Sequence, residues 1–318
     1  MAIGAVAGVL RLSMKNFDKD RMGDVDIYLG EPNEQIRESM RSMLRGEGLR
    51  RTRTFGRIDD LLNALKESSP DLLVLADDMA PNIFEIVRDI RHFRFGRNPF
   101  VMITMMITPD KDVNTKKAIL AGADDIMIKP CAPGRLMERV NHFTFNRLPF
   151  IVTTDYVGPE RRKTTDRPSA IKQLNVVNTM KDKGEGRKMS QAQLARAIEL
   201  NMTDVMAARL DSHGLKLGWV CNHILKAYEE KRVDKEVEER LLILVSVLED
   251  AGRTAKSIGQ PEMATICTQL AREVEEMAER YENPTDHELG TLRKLTKAFD
   301  LAKSAKDAKA TAGPLPVQ

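Results

Sequence analysis

The sequence predicts an α/β domain on a five-stranded parallel sheet, followed by an all-α helical-bundle domain. Two patterns carry this. Over residues 24–148, short apolar runs alternate with segments of helical period, whereas residues 190–304 show the helical period alone. VDIYL, DLLVLA, FVMITM and DIMIK are short, apolar and bounded by Gly, Pro or Asp, as strands buried on both faces are. RRTRTF is more polar and suits a sheet edge. Helices are expected between the strands. EQIRESMRSMLRGEG places Ile36, Met40, Met43 and Leu44 on one face and stops at Gly48. IDDLLNALKES, IFEIVRDIRHF, NTKKAILAGA and PGRLMERVNHF complete the series. Such alternation implies a parallel sheet covered on both faces.

The flanking segments read differently. Residues 1–23 form an arm; AIGAVAGVL is apolar but short and lacks a basic leader, so a signal peptide is not expected. Residues 149–189 carry Gly, Pro, Thr and many charges and read as a basic linker, with LNVVNTM as a docking strand. In residues 190–304, Ser190 is the expected N-cap of SQAQLARAIELNMTDVMAARL. Separate helices follow at LKLGWVCNHILKAYEEK, DKEVEERLLILVSVLEDAGRTAKSI, MATICTQLAREVEEMAERY and DHELGTLRKLTKAFDLAKSA. Pro261 fits a helix start, and Leu241, Leu244, Val245 and Leu248 mark an apolar stripe. No helix buries such a stripe alone, so a bundle of about four antiparallel helices is expected. Residues 305–318 read as a disordered tail.

Composition narrows the function classes. The 318 residues carry a net charge of +3 with 31% charged residues, so no strong field points to nucleic acid, and DNA binding is not expected. The hydrophobic share of 42% supplies cores, and 17 Met with 5% aromatics suits helix-rich packing. Cys131, Cys221 and Cys267 fit neither a disulfide framework nor zinc spacing, which points to a reducing, cytoplasmic setting. No apolar run approaches the ~20 residues needed to span a bilayer. No Gly-rich phosphate loop or Ser/His/Asp set is present, and an enzyme is not expected.

Several stretches resemble the receiver domain of two-component response regulators, a flavodoxin-like fold. AGADDIMIKPCAPGRLMERV is similar to the family's turn, fifth strand and Lys-Pro; RESMRSMLRGEGL to its first helix; PDLLVLADDMAP to its third strand and loop; and PFVMITM to its fourth strand. The resemblance implies Asp77 as phospho-acceptor, with Asp78 the alternative, Thr104 as the switch hydroxyl, and Lys129 as the phosphate-pairing lysine before a cis Pro130. It implies Mg²⁺, held here by Glu31, Asp77 and Asp78. The family's acidic pair falls on Glu31 and Pro32, so one carboxylate is missing from this weakened pocket, and the family's aromatic position in the fifth strand holds Ile126. An aspartate at the carboxyl end of such a strand can attack a phosphoryl donor and form an acyl phosphate.

The implied partners are a sensor histidine kinase or phosphotransfer protein and an output protein of unknown identity. The fourth helix, fifth strand and fifth helix (residues 113–145, with Lys116, Lys117, Arg135 and Arg139) offer a face for a homodimer or another partner. IVTTDYVGPERRK resembles the segment after atypical receivers in alphaproteobacterial regulators with a helical C-terminal domain. Its Arg161, Arg162 and Lys163 read either as an anion contact or as a solvated turn anchored by Tyr156. SHGLKLGW partly resembles a histidine phosphotransfer motif, which would make His213 an exposed phosphoryl carrier beside Lys216; the other reading is a helix-end histidine before Gly214. Trp219 reads as core or interface. The resulting functional expectation is phosphorelay signalling, in which phosphate on the receiver modulates protein contacts of the helical domain. The alternatives are a phosphorylation-independent scaffold and a relay through His213.

Overall fold

A computed structural model of the chain describes residues 19–109, 112–131, 133–161 and 171–297. The five expected strands form one parallel sheet in the order β2-β1-β3-β4-β5: β1 (Asp26–Gly30), β2 (Arg51–Phe55), β3 (Leu72–Ala76), β4 (Met102–Ile107) and β5 (Asp125–Ile128). The polar strand β2 lies at an edge, while every residue of β3 and β4 is buried, as their unbroken apolar runs require.

Alternation along the strands divides the core. Ile27, Leu29, Leu72, Val74, Met102 and Met106 face α1 (Glu34–Gly46) and α5 (Pro133–Phe145), where Met40, Leu44, Leu136 and Val140 pack against them. Tyr28, Leu73, Leu75, Ile103 and Met105 face α2 (Ile58–Glu67), α3 (Ile83–Arg91) and α4 (Asp112–Leu120), through Leu61, Val87 and Ala118. Helix α1 starts at Asn33, whose side chain caps the Ile36 amide, and stops where Gly48 adopts φ 98°.

Residues after the fifth helix fold onto the same unit, at the amino ends of the strands. β6 (Phe150–Val152) and β7 (Val157–Pro159) pair, and Leu174 makes a single antiparallel bridge to Phe150 in place of a full docking strand. The buried Arg91 guanidinium bonds the carbonyls of Pro99, Val101 and Gly122 and pairs with Asp124 at 2.7 Å. Arg147 pairs with the same carboxylate, and both cations lie over the Phe150 ring. Arg161 donates to the carbonyls of Ala123 and Asp124. Arg162 and Lys163 lie outside the described residues. A short helix that the sequence pattern did not reveal, α6 (Thr179–Gly184), buries Met180 in the core and brings Lys183 to Asp71 and Asp26 at 2.6 and 3.0 Å.

The described residues fall into two compact units, one holding 19–151, 157–161 and 173–199 and the other 152–156, 171–172 and 200–297. The C-terminal region is helical: α7 (Gln191–Glu229), α8 (Lys235–Ser257), α9 (Pro261–Ala278) and α10 (residues 286–297). Ser190 caps α7, reciprocated by Gln193, and Pro261 opens α9. Val220, Ile224, Leu241, Leu244, Val274 and Leu292 share one core. One sequence expectation is corrected here. The segments expected as two helices around His213 are one 39-residue helix. Gly214 lies inside it, a cost of about 1 kcal/mol that a long helix anchored by its buried residues absorbs. Of the two readings of Trp219, core or interface, the structure excludes the core: the ring is 58% exposed and lies 4.0 Å from the His223 ring. Residues 1–18 of the arm and 298–318, including the tail, lie outside the described residues. Among the described residues, no helix is long and apolar enough to cross a membrane.

Candidate functional site

The carboxyl ends of β1, β3, β4 and β5 deliver Glu31, Asp77, Thr108 and Lys129 to one end of the sheet, where open α/β sheets bind ligands. Asp77 directly follows β3, and its amide extends the ladder by donating to Met106 O. Its side chain is almost buried, at 7% exposure. Oδ1 accepts from the Thr108 amide at 3.1 Å and the Thr108 hydroxyl at 2.8 Å; Oδ2 accepts from Asn114 Nδ2 at 2.7 Å. The carboxylate is thus held by neutral donors.

Lys129 belongs to a separate set of contacts. Its Nζ lies 2.9 Å from Glu31 Oε2 and 2.8 Å from Asp78 Oδ1. Glu31 has no exposed surface, and its Oε1 accepts from the Asn33 amide. Asp78 is 53% exposed. Burial works against the Lys129 charge, but hydrogen bonds and attraction from Asp78 and Glu31 outweigh it and hold the pKa above the usual lysine value. The Lys129–Pro130 peptide is cis.

Thr104 does not reach this end of the sheet. It is buried in the middle of β4, opposite Val74 and Asp125, and alternation sets it on the face of Met102 and Met106. The strand runs on to Ile107, so the hydroxyl at its carboxyl end belongs to Thr108. The apolar run MITMMI followed by Thr-Pro-Asp carried that signal. Nothing local in the sequence pointed to Asn114, which reaches Asp77 from α4.

The three acids expected to hold Mg²⁺ do not converge as a donor set. Glu31 and Asp78 meet on the Lys129 ammonium, while Asp77 is turned to Thr108 and Asn114. Among the described residues, no group of three or more His, Cys, Asp or Glu side chains is arranged to hold a metal ion. Pro32 supplies no side-chain oxygen, and the residues as placed do not fit a hard divalent cation, which takes several oxygen ligands. Arg139, expected on a partner-steering face, is engaged by Asp125.

His213 is not an exposed helix-end residue. It is 1% exposed in the interior of α7, with Nε2 3.1 Å from Asp250 Oδ2, and Arg209 pairs with that carboxylate at 3.2 Å. Burial is the main cause that pushes the imidazole below its usual pKa. The sequence pattern missed this burial because it read a helix end where the helix continues.

An α/β sheet of this order, with an acid, a hydroxyl and a lysine at the carboxyl ends of its strands, defines a receiver-type domain. Residues 27–141 match the response regulator receiver domain family, and this part of the chain is such a receiver domain. No curated protein matches the chain. Among solved structures, the chain is similar to the response regulator DrrB of Thermotoga maritima, an OmpR/PhoB homolog, at 29% identity over 37% of this chain and 52% of that one, with a TM-score of 0.32. It thus spans about half the length of that structure. The BeF3-activated DrrB receiver domain matches at 27% identity over 38% of this chain and 98% of that one, with a TM-score of 0.33. NtrX from Brucella abortus in complex with ATP matches at 24% identity over 37% and 26% of the two chains, with a TM-score of 0.33.

Proposed function

We propose that this receiver domain accepts a phosphoryl group on Asp77 and that the acyl phosphate alters protein contacts made by the helical C-terminal region. The observation that supports this reading is the placement of the Asp77 carboxylate at the end of β3 against the Thr108 hydroxyl. In the proposed step, an Asp77 oxygen attacks phosphorus in a phosphohistidine or a small acyl phosphate. The bond from phosphorus to the donor's leaving atom breaks, and its electron pair departs with the leaving group, which takes a proton from solvent. The product is a mixed carboxylic–phosphoric anhydride. The Thr108 hydroxyl and the Lys129 ammonium are the groups proposed to turn toward its oxygens. Asp78, exposed and already paired with Lys129, serves as that lysine's resting partner rather than as the acceptor.

The donor is proposed to be a histidine kinase or phosphotransfer protein, the partners that receiver domains use. The test is labelling with radioactive acetyl phosphate, with and without Mg²⁺. Wild type and Asp78→Asn should label and Asp77→Asn should lose at least nine-tenths of the signal; undiminished labelling of Asp77→Asn would overturn the assignment. Failure of every variant to label from either acetyl phosphate or a phosphorylated kinase domain would favour the scaffold reading, which the Lys129–Glu31 pair and Pro32 support.

A further inference from the structure

We propose that Asn114 is a latch: its amide covers the attacking oxygen of Asp77 and ties the position of α4 to the state of that carboxylate. The proposal rests on Asp77 as phospho-acceptor for its chemical half, while its structural half stands without it.

The two Asp77 oxygens are unequally occupied. Oδ1 takes both Thr108 donors, amide and hydroxyl, and belongs to the strand-end geometry of β4. Oδ2 takes the Asn114 amide at 2.7 Å. Freeing Oδ1 requires two bonds and a backbone donor to be given up. Freeing Oδ2 requires one side-chain bond, so Oδ2 is the oxygen poised to attack once Asn114 lets go.

Helix α4 is held by that bond, by Ala118 in the core and by Lys117 over the Phe84 ring. Its nine residues bury Ala118, but Val113 and Leu120 are 62% and 67% exposed. A helix this short has little stability of its own and depends on tertiary contacts. The Asn114 bond to a carboxylate, stronger than one between neutral groups, is therefore a large part of what holds its first turn.

Phosphorylation acts on this bond directly. When Oδ2 attacks, its lone pair becomes the bond to phosphorus and the oxygen loses its negative charge. The bridging anhydride oxygen is a poor acceptor, so Asn114 loses its partner and the first turn of α4 is released. Local charge at the end of β3 is thereby converted into motion of a helix.

Hydrogen exchange of the full chain tests the latch without any phosphate. Asn114→Ala and Asp77→Ala should each speed exchange of the α4 amides about tenfold, and the double variant should be no faster than either single one. Asn114→Gln, which keeps the amide donor, should restore part of the protection. Unchanged exchange in both single variants, or effects that multiply in the double variant, would overturn the latch. The second measurement is the rate of acetyl phosphate labelling of Asp77, expected to rise several-fold in Asn114→Ala; a slower rate would make Asn114 an aid to attack and overturn its covering role. If wild type does not label at all, the covering role falls with the phosphorylation reading, while the exchange data still decide whether Asn114 tethers α4.

Discussion

Glu31 is buried without exposed surface, and the Lys129 ammonium 2.9 Å away is what compensates its charge. Replacing Lys129 by Met should therefore cost about 3 kcal/mol, the penalty for leaving a buried carboxylate unpaired. Urea unfolding of Lys129→Met against Lys129→Met/Glu31→Gln checks this, because removing both charges should recover most of the loss. An equal loss in both variants would assign the cost to packing of the lysine stem instead. At this scale the sequence was partly legible. The family resemblance singles out Glu31, Asp77 and Lys129, and each directly follows a strand of the sheet. The resemblance of PFVMITM to the family's fourth strand points to Thr104, but the strand runs on to Ile107 and the hydroxyl after it is Thr108. Asn114 was out of reach, since no local pattern shows that a residue on α4 meets one after β3.

At the level of elements, the turn between α4 and β5 joins the receiver sheet to the residues that follow it. Gly122 has φ 89°, and a Cβ there would lie 2.4 Å from Val157 O and 3.0 Å from Arg91 Cγ. Gly122→Ala must pay for the left-handed backbone, about 1 kcal/mol or more, and push β7 away. Chemical denaturation should show that loss, and hydrogen exchange should show faster exchange at Val157–Pro159; native-like protection there would mean that the turn does not hold β7. The same contact explains why the sequence read a linker. β6, β7 and α6 are too short to show a period, and their Gly, Pro and charged residues look solvated. Their order comes from partners far along the chain: Arg161 on the Ala123 carbonyl, Phe150 against Arg91 and Arg147, and Lys183 on Asp71.

At the scale of the whole molecule, pH acts on the stability of the helical region. His213 is the group to watch in the second. Burial lowers its pKa from the usual 6.5; Arg209 and Lys216 act in the same direction, while Asp250 and Asp155 oppose them. An unfolded chain takes up this proton near the usual value and the folded chain only at lower pH. Below the usual value the unfolded state therefore binds more protons, and stability falls as pH drops through that window, with a slope of at most about 1.4 kcal/mol per pH unit from one group. Thermal unfolding between pH 7.5 and 5.5 should show this fall in the transition of the helical region, and His213→Gln should flatten it. An unchanged slope in the variant would remove His213 as the cause. The sequence by itself determined the alternation of strands and helices, the polar edge strand and the helical C-terminal region, because periodicity and apolar runs report burial directly. Tertiary structure alone decided that Thr108 and Asn114 hold Asp77, that Lys129 joins Glu31 to Asp78, and that His213 is buried. The receiver contacts link residues 31, 37, 51 and 98 positions apart and depend on which strands lie side by side, which no local pattern encodes.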